Sequence, residues 1–202
     1  MDREYFTRYC GRAPYGEIWL EHSGAENCLA TLRRMRTHVD SLLVLGAATG
    51  EVLTHFEKEL GVRSHGCEIS RWAHARIPVG QRRQIACADM RHFVPRLARE
   101  RRHFDLIFCN ALIYLAPRDV SGVLEAASRI GAYFHFYSST SEDHEPGDRY
   151  RVTLRPRTWW RKKFLAAGWA PTRSRYLWRS LAADPVGRDC ASIWTGRGKG
   201  RR

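Results

Sequence analysis

Apolar and polar positions succeed one another along this chain as short runs separated by amphipathic stretches. Leu42-Leu43-Val44-Leu45 is an apolar run that stops at the small-residue segment Gly46-Ala47-Ala48-Thr49-Gly50. A helical pattern follows over Glu51–Leu60, and a second strand-like run over 62–68 ends at Glu68. Further strand-like runs lie at 84–88, 104–110 and 132–137. Between them come a short helix at 70–75, stopped by Ile77-Pro78, and a basic helical stretch at 91–102 in which Pro95 restricts the start. An amphipathic pattern at 119–130 sets Val120, Val123, Leu124 and Ala127 on one side. The pattern predicts a helix at 158–167 closed by Gly168, then strands at 169–177 and 190–195 joined through Asp184-Pro185-Val186-Gly187. Strand and helix alternating in this way predict a doubly wound α/β domain.

The segment from Leu42 to Glu68 carries the first chemistry. Small residues after a strand let backbone N–H groups approach a ligand, and the following helix start favours electron-rich groups. A carboxylate at the tip of the second strand can accept both hydroxyls of a ribose. These features predict an adenosine-containing cofactor. A dinucleotide site reads G-x-G-x-x-G, whereas here Gly46 and Gly50 flank Ala47, Ala48 and Thr49.

From about residue 41 to 194 the chain resembles the class I S-adenosylmethionine-dependent methyltransferases, whose first motif is a strand followed by G-x-x-x-G. Glu68, followed by Ile69, falls where that family places its ribose-binding acid. Asp89 and Met90 fall where it places an acid beside the adenine amino group and an apolar residue against the ring. Asn110 falls at the tip of the fourth strand-like run, where the family places a residue beside the transferred methyl. The resemblance implies a Rossmann-like, mostly parallel seven-stranded sheet with an antiparallel last strand, helices on both faces and an N-terminal helical lid. It implies S-adenosyl-L-methionine as cofactor, held by Gly46, Ala47, Thr49, Gly50, Glu68, Ile69, Asp89, Met90 and Asn110. One position departs: two residues before the first glycine, where the family has an acid that orients the methionine end, this chain has Val44. That departure implies weaker cofactor binding, an inactive descendant or, as the favoured expectation, a compensating contact from another element.

Residues 1–40 precede the first strand. Tyr5, Phe6, Tyr9, Tyr15 and Trp19 make them too aromatic for a disordered tail, and 26–38 has Cys28, Leu29, Leu32 and Met35 at helical spacing. This extension is the expected lid or a helix covering the sheet. Residues 41–196 form the expected methyltransferase domain and 197–202 a basic tail.

At 202 residues the chain is long enough for one domain with a substantial core. No apolar run approaches the ~20 residues of a membrane span, and the N-terminus lacks a secretion signal. Six cysteines without a C-x-x-C pair, four of them in strand-like runs, argue for a reducing cytoplasm and against zinc. The net charge of +13 is lopsided, because residues 151–202 hold 14 Lys and Arg against two acids. Such a region attracts nucleic acid or another polyanion, or serves as a solubilising surface; Arg outnumbers Lys 30 to 4, a bias that coding composition also produces.

Two candidates for the transfer chemistry remain. Tyr114 stands four residues after the strand tip, where small-molecule enzymes of this family often carry a histidine; it contacts the acceptor or packs under the lid. His144, in the acidic loop with Glu142, Asp143, Glu145 and Asp148, is a candidate base or a solvated histidine. Trp159-Trp160 beside Arg161, Lys162 and Lys163 reads as a stacking platform for bases or as a helix docking one tryptophan in the core. The leading expectation is methyl transfer to oxygen or nitrogen of a small molecule. The alternatives are an RNA or polyanion acceptor reached through the basic C-terminal region, and a non-catalytic binding protein on the same fold.

Overall fold

The computed structural model describes residues 3–7, 23–141, 150–172 and 189–195, the last stretch as backbone. In chain order the first elements are α1 (Arg3–Thr7), α2 (Ala25–Arg34), β1 (Leu42–Leu45), α3 (Glu51–Leu60) and β2 (Ser64–Glu68). Then come α4 (Arg71–His74), α5 (Val79–Arg82), β3 (Ile85–Cys87), α6 (Met90–Arg99) and β4 (Phe104–Cys109). After a 3-10 turn at Leu112–Tyr114 follow α7 (Pro117–Ala127), β5 (Gly131–Ser139), α8 (Arg157–Ala166), β6 (Ala170–Pro171) and β7 (Asp189–Thr195).

β1 sits between β2 and β4, with β3 outside β2 and β5 outside β4, and these five strands are parallel. The chain has an α/β Rossmann-like fold. β7 pairs antiparallel with β5 and with β6, so the observed order is β3-β2-β1-β4-β5-β7-β6. The loop expected at 184–187, and most of the strand expected at 169–177, lie outside the described residues.

All four residues of β1 are buried because the sheet is covered on both faces. Leu43 and Leu45 join Phe104, Phe134, Val123 and Trp160 under α6, α7 and α8. Leu42 and Val44 join Leu29, Val52, Phe56 and Phe108 under α2 and α3. Val44, the residue in place of the family's acid, is therefore packed in the apolar layer. His135 shares that layer, stacked on Phe108 with ring centroids 5.0 Å apart and neither ring nitrogen partnered. Burial lowers its pKa to about 3, so it stays neutral.

At the end of the sheet where β1 begins, buried Asp105 ties the strand entry together. Its Oδ2 accepts from the N–H groups of Asp40 and Ser41 (both 3.0 Å) and from Ser41 Oγ (2.9 Å). Helix boundaries follow local chemistry. α6 begins at Met90 because Asp89 caps it, accepting from Arg91 N–H at 2.8 Å. Pro95 then lies inside the helix and leaves the Arg91 carbonyl without its i+4 donor. α8 ends before Gly168, at φ 88°. Trp160 is buried against Phe136 and Phe164, while Trp159 is half-buried with Lys163 Nζ 5.2 Å from its ring, so this pair docks the helix. No helix among the described residues is long and apolar enough to cross a membrane.

Candidate functional site

The turn after β1 folds over the end of β2. Gly46 adopts φ 81°, and the N–H groups of Gly46 and Ala47 both donate to the Cys67 carbonyl, at 2.9 and 3.1 Å. A Cβ on Gly46 would lie 2.6 Å from Ala111 Cβ, so glycine is required for this turn to approach the end of β4. Glu68, 4% exposed, extends from β2 into the same region. Its Oε2 accepts from Ala48 N–H and its Oε1 from Ser70 N–H, both at 2.8 Å. One carboxylate thus joins the first turn to the start of α4. Burial raises its pKa above the ordinary range, and the N–H groups of Ser70 and Ala48 partly offset that rise.

Asp89 stands at the end of β3. Burial pushes its pKa up, but Arg91 outweighs this and holds the carboxyl below its ordinary value. Arg91 Nε and Nη2 donate to Asp89 Oδ2 at 2.9 and 2.6 Å, and Nη1 reaches Asp119 at 3.1 Å. An Asp directly before a helical pattern is a cap signal, so this second role of Asp89 was available in the sequence.

A third group of side chains arrives from distant segments. Tyr5 and Phe6 of α1 pack on Ala48 and Ala73, next to Tyr114 and Tyr150. The Tyr5 and Tyr114 hydroxyls are 2.6 Å apart. Backbone N–H groups of Val152 and Thr153 donate to the Ile113 carbonyl at 3.1 and 2.9 Å, and Thr153 Oγ1 donates to the Leu115 carbonyl. Those bonds bring Tyr150 and Val152 to the turn that bears Tyr114.

Between these groups is a cavity of about 490 Å³, in the size range of ligand pockets. Gly46, Glu68, Ile69, Asp89, Met90 and Tyr114 line it, all named from the sequence. Tyr5, Phe6, Ala48, Ala111, Tyr150 and Val152 line it as well, and sequence reasoning assigned none of them to a binding role. The only signal for Tyr5 and Phe6 was the aromatic density of the extension.

The remaining named residues lie outside this lining. Ala47 is buried with Val52 and Ile77 in the layer under α3. Thr49 Oγ1 donates to the Glu51 carboxylate at 2.6 Å. Gly50 caps α3 at φ 100°, where a Cβ would crowd Pro78 Cδ at 3.0 Å. Asn110 turns away, its Nδ2 donating to the Ser23 carbonyl while its buried Oδ1 has no partner. Periodicity located the turn but not which of its residues face inward. His144 and its acidic loop at 142–149, the remaining aromatics Tyr9, Tyr15 and Trp19, and the basic tail at 197–202 lie outside the described residues. Among the described residues, no group of three or more His, Cys, Asp or Glu is placed to hold a metal.

No family profile matches the chain, and no curated protein matches it in sequence. Solved structures do match. Magnesium protoporphyrin IX methyltransferase (ChlM) from Synechocystis PCC 6803, with bound SAH, superposes at a TM-score of 0.67 with 12% identity, over 96% of this chain and 97% of that one. The sugar N-methyltransferase KedS8 from Streptoalloteichus sp ATCC 53650 gives 0.60 with 18% identity, over 87% of each chain. The plantazolicin methyltransferase BpumL in complex with SAH gives 0.61 with 13% identity, over 96% and 86%. With the strand-tip carboxylates and the glycine turn meeting at one cavity, the chain has the fold of the class I S-adenosylmethionine-dependent methyltransferases.

Proposed function

We propose that this chain binds S-adenosyl-L-methionine in the cavity and transfers its methyl group to an oxygen or nitrogen of a small-molecule acceptor. The observation that carries the reading is the convergence of Gly46, Glu68, Ile69, Asp89 and Met90 on one cavity, in the order the family's motifs require. Each Glu68 oxygen uses one lone pair on a backbone N–H and keeps another for a ribose hydroxyl. Ile69, 52% exposed on the lining, and Met90 supply apolar surface for a base, with Asp89 at its edge.

When bound, the cofactor would supply a methyl group activated on a sulfonium for an acceptor lone pair, with any surplus proton released to a base or to water. Little covalent help is then needed, and the protein's work is alignment and exclusion of water. Tyr114 would position the acceptor, α1 would cover the cavity as a lid over the domain of residues 41–196, and His144 is the candidate base. With Val44 packed in the apolar layer, orienting the methionine end falls to the glycine turn that lines the cavity.

Calorimetry of the purified chain with S-adenosylmethionine and with S-adenosylhomocysteine tests the reading. Saturable binding of both is expected, and no binding of either to folded protein overturns it.

A further inference from the structure

The aromatic end of the cavity has a geometry that its chemistry can explain. The ring of Tyr5 stands perpendicular to three others. It meets Phe6 at 4.9 Å and 85°, Tyr114 at 6.0 Å and 85°, and Tyr150 at 5.3 Å and 89°. All four residues line the cavity. Rings stacked in parallel close the space between them, whereas rings at right angles wall off a corner. The 2.6 Å approach of the Tyr5 and Tyr114 hydroxyls fixes two of these walls by their tips, and Trp72 stacks behind Phe6 at 5.7 Å and 14°.

Charge is distributed unevenly around this corner. The cations of the described lining, Arg91 and Arg118, each stand beside an acid of the same lining. Arg91 contacts Asp89 and Asp119, and Arg118 lies 3.9 Å from Asp119. Among the described residues, those that line the cavity from α1, from the turn at Leu112–Tyr114 and from the 150–152 segment include no Lys or Arg. The sequence entering Tyr150 carries Glu142, Asp143, Glu145 and Asp148 against one arginine, Arg149. An anionic acceptor such as a carboxylate or phosphate finds no cationic partner among these lining residues, whereas aromatic faces attract alkylated cations.

We propose that Tyr5, Phe6, Tyr114 and Tyr150 form an aromatic box for an ammonium group, so that the acceptor is an amine. The proposal rests on the methyl-transfer reading and narrows it to nitrogen. In methylation of a neutral amine, positive charge leaves sulfur and grows on the acceptor nitrogen; an N–H proton, where there is one, then departs to water. A box around that nitrogen interacts more strongly as the charge develops, which is the condition for accelerating a reaction rather than merely holding its substrate.

The test uses the full chain saturated with S-adenosylhomocysteine and titrated by calorimetry with choline or its uncharged isostere 3,3-dimethylbutan-1-ol. Choline is expected to bind roughly ten-fold more tightly than the isostere, the scale of a desolvated cation–π contact. Tyr5→Leu and Tyr114→Leu each reduce that ratio to about two-fold or less. Tyr5→Phe, which keeps the ring and gives up the hydroxyl, retains most of it. Binding of S-adenosylhomocysteine by each variant reports that it is folded. Equal affinity for the two probes, no choline binding, or a preference that survives both leucine variants overturns the box and leaves the methyltransferase reading standing. Failure of S-adenosylhomocysteine to bind the unmodified chain removes both.

Discussion

The two ends of the cavity are built on opposite principles. At the strand-tip end the lining carboxylates are tied to nearby N–H groups: Glu68 to Ala48 and Ser70, Asp89 to Arg91. At the aromatic end α1 lies more than 100 positions from the two segments it meets, and its Tyr5 joins them through ring contacts and a hydroxyl pair. The first end is tied to the ladder of parallel strands, with Glu68 inside β2 and Gly46 and Asp89 just past the ends of β1 and β3. The second end depends on α1 staying docked through its buried residues, Tyr5 and Phe6. Cofactor affinity should therefore follow the first end and acceptor selection the second.

The largest break in this contrast is expected from Glu68→Leu. It leaves two buried N–H donors without an acceptor, at a cost of roughly 2–4 kcal/mol. For a chain of this size that is about 4–12 °C in Tm. S-adenosylhomocysteine affinity should fall by roughly a hundred-fold, as charge-assisted bonds to both ribose hydroxyls are removed. Undiminished affinity of the variant in calorimetry would dissociate Glu68 from the cofactor end.

Gly46→Ala comes next. The new methyl would sit 2.6 Å from Ala111 Cβ in a backbone at φ 81°. Strain of about 1–3 kcal/mol is expected, with a matching fall in cofactor affinity. Adding Ala111→Gly should restore part of the loss, because it removes the clash but not the positive φ. Strict additivity in the double-mutant cycle would show that the two positions do not touch.

A pH series sharpens the contrast within the first end, since its two carboxylates are shifted in opposite directions. The folded state binds a proton on Glu68 more readily than the unfolded chain does. Its contribution is therefore most favourable below the ordinary glutamate pKa of about 4.3 and declines as pH rises through the higher folded value. Asp89 behaves in reverse: its stabilisation is present above about 3.9 and is lost as pH falls through the lower folded value. Urea unfolding from acid to neutral pH should show the wild-type-minus-Glu68→Gln difference falling with pH. The wild-type-minus-Asp89→Asn difference should rise more weakly, since Asp89 is nearer solvent. Slopes of the same sign would contradict the assignment.

The smallest effect is at the aromatic end. Tyr5→Phe and Tyr114→Phe each remove the same hydroxyl pairing, for about 0.5–1.5 kcal/mol. The double variant should be little worse than either alone. Additive losses in thermal unfolding would mean that the hydroxyls act separately.

Much of the strand-tip end was legible in the sequence. Leu42–Leu45 and Glu51–Leu60 have the boundaries their hydrophobic pattern predicts, and Glu68, at the end of β2, and Asp89, two residues past β3, both line the cavity. Within the glycine turn the reading was coarser. Ala48 lines the cavity where Ala47, Thr49 and Gly50 were expected, because a turn has no periodicity that tells inward from outward. Asn110 was placed correctly at the end of β4, yet its amide is drawn off by the Ser23 carbonyl, a partner 87 positions away.

What the sequence determined by itself was the order of strands and helices and the acids at the strand ends, because both are set by burial patterns and turn chemistry within a few residues. Tertiary structure alone decided that Tyr5 meets Tyr114 and Tyr150, and that Val44 faces the apolar layer under α2 and α3. Those outcomes depend on how distant segments pack on the finished sheet, and no local pattern of residues encodes that packing.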